Sequence, residues 1–126
     1  MAKTVAERRE IVEEYLRRVA SGTAAEILEL YGDNPTLEDP VGSEVRSGRE
    51  AIEEFYRTLE AMDSTTELRE FRASGDHAAA FAFDVRTRTG DTTVEVSVIE
   101  VMEFDDEGRI THMRAYWHPD ADMTMS

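Results

Sequence analysis

The sequence contains no cysteine, which excludes disulfide bonds, zinc–thiolate sites and thiol nucleophiles. Basic residues are scarce, because 14 Lys and Arg stand against 28 Asp and Glu, for a formal net charge of −14. Nucleic acids and anionic membranes are therefore poor partners. No apolar run approaches the ~20 residues of a membrane span. The first residues lack the apolar core of a secretory signal peptide, so we expect a cytoplasmic protein.

Sequence motifs for common cofactors are missing as well. No Gly-rich phosphate loop, dinucleotide-binding fingerprint or serine nucleophile elbow occurs. The three histidines, His77, His112 and His118, have no further ligand type placed beside them. We therefore expect neither a bound metal nor another cofactor.

The chain of 126 residues fits a single domain, 1–126, whose first part has the periodicity of helices. Thr4 and Glu7 form a predicted capping box, and the helix that follows ends at Ser21-Gly22. A shorter second helix is predicted over 24–31. A second capping box over 47–50 is predicted to open a third helix. The apolar stripes of the three helices are Val5, Ile11, Val12, Tyr15, Leu16 and Val19, then Ala24, Ala25, Ile27, Leu28 and Tyr31, then Ala51, Ile52, Phe55, Tyr56 and Leu59.

From about residue 64 the apolar residues recur with a period of two, which is typical of strands. Four strands are predicted, over 64–73, 77–89, 92–104 and 109–118, with Gly-containing turns between them. Helices followed by an antiparallel meander predict an α+β fold, in which the helices pack on one face of a curled sheet. The tail, 119–126, is predicted to be loosely ordered.

One acidic residue falls on the apolar face of the third predicted strand. Because a strand alternates faces with a period of two, Glu100 shares its face with the apolar residues around it. These residues are Val94, Val96, Val98, Met102 and Phe104. An unpaired carboxylate there costs several kcal/mol and tends to take up a proton instead. Glu100 is therefore predicted to be a neutral hydrogen-bond donor.

Tyr15 and Asp39 are two further polar residues at positions expected to face the core; Asp39 is held extended by Pro40. A phenol and a neutral carboxylic acid can both donate to one oxygen, which makes an oxyanion hole. A separate ionised carboxylate can move a proton. Together Tyr15, Asp39 and Glu100 indicate proton abstraction next to a carbonyl. Each also has a purely structural interpretation: a core tyrosine, a turn residue, and a glutamate exposed by a strand bulge.

Several segments resemble the bacterial Δ5-3-ketosteroid isomerases, and the resemblance runs from about residue 8 to 118. The most specific piece is Asp-Pro-Val-Gly-Ser-Glu at 39–44. The matching segments are Val-Glu-Glu-Tyr-Leu at 12–16, residues 37–48, Ala-Ile-Glu-Glu-Phe-Tyr at 51–56, Ala-Ala-Phe-Ala-Phe at 79–83 and Met-Arg-Ala-Tyr-Trp at 113–117.

The resemblance implies roles for individual residues. Tyr15 matches the oxyanion-hole tyrosine of that family, Asp39 matches its base, and Tyr31 and Tyr56 match tyrosines that support the oxyanion hole. Glu100 stands where the best-known isomerases carry aspartic acid, so it reaches the same oxygen through one more methylene. The positions that match the apolar substrate pocket are Phe55, Phe83, Val85, Val98, Met113, Ala115 and Trp117.

The implied fold is the conical α+β barrel of nuclear transport factor 2 and scytalone dehydratase, also called cystatin-like. The implied assembly is a homodimer packed through the sheet, to which Ile99 and Val101 would contribute. The implied activity is a cofactor-free steroid Δ-isomerase acting on an apolar 3-ketosteroid-like substrate. Two alternatives stay open: an enzyme of the same fold with another reaction, such as a polyketide cyclase or epoxide hydrolase, and a steroid- or lipid-binding module with little turnover.

Overall fold

The computed structural model describes residues 1–126, in which the helices come mainly first and the long strands last. The elements are α1 Val5–Ser21, α2 Ala24–Leu28, β1 Tyr31–Glu38, β2 Arg46–Ser47, α3 Arg49–Glu60, β3 Asp63–Ser74, β4 Ala78–Thr89, β5 Thr92–Phe104, β6 Ile110–Tyr116, α4 Pro119–Asp122 and β7 Met123–Met125. The four predicted strands are confirmed as β3 to β6, within one or two residues at each end.

All seven strands belong to one sheet in the order β2-β1-β6-β5-β4-β3, with β7 added to β5. The β1–β6 pair is parallel and every other pair is antiparallel. Helix α1 packs against β3, and α3 packs against β1 and α2. The predicted α+β fold, with helices on a mainly antiparallel sheet, is confirmed. No helix combines the length with the apolar composition that a membrane span requires.

The helix starts show one correct and one wrong capping prediction. Thr4 and Glu7 form the predicted capping box of α1. Helix α3 instead begins after Gly48, which has a φ of 93° and no side-chain cap. The backbone N–H of Gly48 donates to Pro35 O at 2.9 Å. The capping box predicted over 47–50 is therefore wrong. The N-cap of α3 is Gly48 and not Ser47, and its positive φ is a backbone conformation that favours glycine.

Tyr31 lies on a strand and not on the second helix, so the helix predicted over 24–31 is too long. Helix α2 ends at Leu28, and Tyr31 pairs with Ile110 of β6. The Arg49 guanidinium donates to Leu28 O at 3.0 Å and to Tyr31 O at 2.8 Å. The carbonyl group of Leu28 would otherwise be unpaired at the end of a helix. A side chain from α3 thus helps to end α2 and fix the start of β1.

A buried arginine occupies part of the predicted stripe of α1. Val5, expected in the core, is 58% exposed, whereas Arg8 is 3% exposed. The Arg8 guanidinium donates to Ala78 O at 2.7 Å, to Gly75 O at 2.9 Å and to Ser74 O at 3.2 Å. Arg8 therefore fastens the first helix to the turn between β3 and β4.

The tail over 119–126 differs from the loosely ordered segment expected. It forms α4 and then β7, which pairs with residues 94–96 of β5. Thr93 and Ser126 exchange two backbone hydrogen bonds of 2.9 and 3.0 Å. Strand β6 pairs with β5 only from Ile99 onward, so the first half of β5 offers a free edge. The tail covers that edge, which would otherwise expose unpaired backbone groups.

Replacing Arg8 with alanine is expected to lower the free energy of unfolding by about 2–3 kcal/mol, because hydrogen bonds from a charged donor are lost. One nitrogen of this side chain, Nε, is already buried without a partner, which limits the loss. Arg17→Ala on the same helix is the control, since its exposed ion pair with Glu14 contributes at most about 1 kcal/mol. Urea unfolding measures both variants, and equal losses would contradict the anchoring role of Arg8.

Candidate active site

The carboxyl group of Glu100 lies inside the fold, on β5. The residue is 2% exposed, and strand pairing places it between Phe81 of β4 and Ala115 of β6. Its Oε2 atom has no hydrogen-bond partner. Burial raises the pKa of Glu100 well above its usual range, the charge of Asp39 adds to the rise, and the Tyr15 hydroxyl partly opposes it. The group is therefore a neutral acid with an unused polar atom.

The strand register explains why this glutamate is buried. Val98 and Met102, two residues away on either side of Glu100, are 7% and 0% exposed, whereas Ile99 on the opposite face is 55% exposed. The irregularity in the β5–β6 pairing lies between Glu103 and Phe104 and leaves the ladder at Glu100 regular. The predicted burial of Glu100 is confirmed, and the alternative of an exposing bulge is wrong.

Three tyrosines from three elements form a buried chain of hydroxyl groups. Tyr15 of α1 contacts Tyr56 of α3 at 2.9 Å between hydroxyl oxygens, and Tyr56 contacts Tyr31 of β1 at 2.7 Å. Burial is the main cause that raises the pKa of all three well above 10. The hydroxyl groups therefore stay protonated. Tyr56 contacts Tyr15 directly, whereas Tyr31 reaches it only through Tyr56.

Asp39 lies just after β1 in a more polar setting than Glu100. It is partly buried, and its Oδ1 accepts a hydrogen bond of 2.8 Å from Trp117 Nε1. Burial raises the pKa of Asp39, while the Trp117 hydrogen bond and the positive charge of Arg46 oppose the rise. Asp39 therefore ionises more readily than Glu100, which has no such cation near it. Trp117 was expected only as an apolar wall, and its bond to Asp39 could not be read from the sequence.

The seven predicted pocket residues all belong to the core or pack against it, but they do not line one cavity. Phe83, Val98 and Trp117 line a cavity of about 500 Å³ between the end of β6 and the strands β4 and β5. Phe55 lines a second cavity, of about 510 Å³, between β2 and α3. Met113 and Ala115 are packed in the core with almost no exposure. Val85 is partly buried and lines neither cavity.

The side chain of each of the three histidines forms a hydrogen bond with a single polar group. His77 contacts Asp106 at 2.6 Å, and His112 contacts Thr36 Oγ1 at 2.7 Å. His118 caps α4 by accepting from the backbone of Asp120. No group of three or more His, Cys, Asp or Glu side chains has the arrangement of a metal site.

Comparisons with known proteins agree with this architecture. The model of the SnoaL-like domain family matches residues 12–113. A steroid Delta-isomerase of Nocardioides simplex is 49% identical over 114 residues, which cover 90% of this chain and 92% of that protein. Among solved structures, SalBIII, an epoxide hydrolase/cyclase-like enzyme with a role in pyran ring formation in polyether salinomycin, is 31% identical. The two superpose with a TM-score of 0.88 over 96% of this chain and 97% of that one. The chain belongs to the SnoaL-like domain family.

Proposed function

We propose that the protein is a cofactor-free steroid Δ-isomerase, which moves a β,γ double bond into conjugation with the 3-ketone of a steroid. The observation that carries this proposal is the buried carboxyl group of Glu100, whose Oε2 is unpartnered and whose pKa is raised well above its usual range by burial and by the charge of Asp39. The 49% identity to a steroid Delta-isomerase supports the same substrate class.

Asp39 is the proposed base. Its ionised carboxylate removes a proton from the carbon between the ketone and the β,γ double bond, and the bonding electrons move onto the ketone oxygen to form a dienolate. The protonated Asp39 then returns the same proton to the γ carbon, which yields the conjugated enone and restores the carboxylate. The Trp117 hydrogen bond to Oδ1 orients the carboxylate and leaves Oδ2 available for the proton.

Tyr15 and Glu100 are the proposed donors to the dienolate oxygen. If Tyr31 donates to Tyr56 and Tyr56 donates to Tyr15, the proton of Tyr15 is free for the ligand. The neutral Glu100 donates a second hydrogen bond to the same oxygen. Both donors are fixed by packing before the substrate binds, and such preorganised donors stabilise charge that develops in a transition state.

Replacement of Asp39 with asparagine should abolish most of the activity, because the amide cannot accept the proton. We expect the unmodified protein to convert 5-androstene-3,17-dione, a reaction measured by the absorbance of the enone product. In Asp39→Asn, kcat should be lower by a factor of about 10²–10⁴. Tyr15→Phe should lower kcat by about 10²–10³.

Binding of a phenolic steroid, which resembles the dienolate, is the folding control, and Asp39→Asn should retain it. Equal turnover with and without Asp39 would contradict the mechanism. Tight phenolic binding with no turnover in the unmodified protein would instead indicate a binding module.

A second candidate is a cyclase-like reaction in which Asp39 acts on a different carbonyl compound. The 31% identity to an epoxide hydrolase/cyclase-like enzyme favours it. A screen that combines steroid ketones with polyketide substrates separates the two, because Asp39-dependent conversion of only a polyketide would favour the cyclase.

The raised pKa of Glu100 makes a prediction about stability and pH. The folded protein holds this proton more tightly than the unfolded chain, so stability should fall as the pH rises above the ordinary value of about 4.5. The contribution of one group is at most about 1.4 kcal/mol per pH unit. Glu100→Gln carries no titratable proton and should flatten the dependence, as measured by urea unfolding between pH 5 and 8. Glu103→Gln, an exposed position of β5, is the control; an unchanged slope in Glu100→Gln would argue against a neutral buried acid.

We also propose a homodimer that packs through the outer face of the sheet. Ile99 and Tyr116 are 55% and 42% exposed there, on the face opposite Glu100, and Val101 is partly buried beside them. An apolar patch of this kind on a sheet is typical of a protein interface. A cytoplasmic location stays a prediction from the sequence.

Ile99→Glu is expected to convert a dimer to a monomer, because it places a charge in the centre of the proposed interface. Light scattering on a sizing column measures the mass of both forms. Val5→Glu introduces the same charge at a similarly exposed apolar position, 58% exposed at the start of α1, and should leave the mass unchanged. A monomeric unmodified protein at tens of micromolar would overturn the proposed dimer.

A further inference from the structure

Arg46 lies on the inner side of the sheet edge, next to the segment that carries Asp39. Strand β2 pairs with β1 in antiparallel register, with Arg46 opposite Leu37. Directly paired residues point to the same face of a sheet. Leu37 is fully buried on the inner face, and Asp39 comes two residues later. The register therefore directs the Arg46 side chain to the same side as Asp39.

The Arg46 guanidinium is held by an aromatic ring and not by an acid. Its central carbon is 5.0 Å from the centre of the Phe55 ring on α3, within the range of a cation–π contact. Both residues line the cavity of about 510 Å³ between β2 and α3. Arg57 on the same helix pairs with Glu53 at 2.6 Å, whereas Arg46 forms no ion pair. Glu44 and Glu54 line the same cavity, but neither forms an ion pair with Arg46, so its positive charge has no direct partner.

We propose that Arg46 is a positioning residue that keeps Asp39 in its ionised, proton-accepting form at mildly acidic pH. This inference rests on the proposed function, in which Asp39 is the base. Burial favours the protonated acid, so the fraction of Asp39 that is protonated, and therefore unable to remove the substrate proton, grows as the pH falls. A cation on the same side of the sheet edge favours the carboxylate without occupying either of its oxygens.

The other titratable groups around Asp39 do not supply this charge. Glu100 of β5 is a neutral acid, and Tyr15 of α1 and Tyr31 of β1 are neutral phenols, as is Tyr56 of α3 behind them. Burial raises the pKa of Asp39, the Trp117 hydrogen bond lowers it, and the charge of Arg46 lowers it further. Arg46 is thus the cation in this set.

Removing the charge of Arg46 should move the acid limb of the kcat/KM profile to higher pH. Arg46→Met keeps an apolar stem over the Phe55 ring and removes only the charge. At pH values below the midpoint of the unmodified protein's acid limb, the kcat/KM of Arg46→Met should be several-fold lower than that of the unmodified protein. On the plateau near neutral pH the two values should be equal. Arg46→Lys should restore the original limb. Arg57→Met changes the net charge by the same unit and should leave the limb in place.

Salt offers a second readout, because Arg46 is exposed and its field is screened. Raising the ionic strength to about 1 M shortens the screening length to about 3 Å. The acid limb of the unmodified protein should then move towards that of Arg46→Met. The limb of Arg46→Met itself should move much less.

Titration of the Asp39 carboxyl carbon, followed by ¹³C NMR in the full-length protein, separates this inference from the proposed function. A midpoint that moves up in Arg46→Met, but not in Arg57→Met, supports the role of Arg46 even if no steroid is turned over. An unchanged Asp39 titration in Arg46→Met, or an equal shift in Arg57→Met, overturns it.

Discussion

The burial of one unpaired carboxyl group is the constraint on which the site depends. Glu100 occupies a position of β5 whose neighbours on the same face, Val98 and Met102, belong to the core. A shift of the register by one residue would expose both of them, so the surrounding sheet holds the glutamate inside. An unpartnered buried polar atom costs about 1–3 kcal/mol, and a charged one costs more. The apolar packing of the sheet therefore offsets the cost of the acid and keeps it neutral.

Two carboxyl groups can serve opposite roles here because their surroundings differ. Glu100 lies between side chains of neighbouring strands, whereas Asp39 lies just after β1 with an indole N–H on one oxygen and a cation nearby. The charge of Asp39 also disfavours ionisation of Glu100. Glu100 thus holds its proton while Asp39 is free to accept one. The charge on Asp39 helps to keep Glu100 neutral, and a neutral Glu100 adds no negative charge that would oppose ionisation of Asp39.

The parts of the structure that follow from local periodicity could be predicted, and the parts that depend on distant contacts could not. Strand parity alone was enough to predict the burial of Glu100. The end of α2 was misplaced because Arg49, eighteen residues after Tyr31 in the chain, binds the carbonyl group of Tyr31. The burial of Arg8 depends on a turn more than sixty residues away. A hint was present, since Arg8 lies one helical turn before Val12, but an arginine at that position ordinarily faces solvent.

Helix α3 connects the two halves of the site. Arg49 and Tyr56 are seven residues apart, about two helical turns, so they lie on the same side of α3. Arg49 fixes the start of β1, and Tyr56 joins Tyr31 to Tyr15. Phe55, next to Tyr56, carries the guanidinium of Arg46. A displacement of this one helix would disturb the hydroxyl chain behind the proposed donors and, at the same time, the cation beside the proposed base. The geometry of the site therefore depends on how α3 packs against β1 and α2.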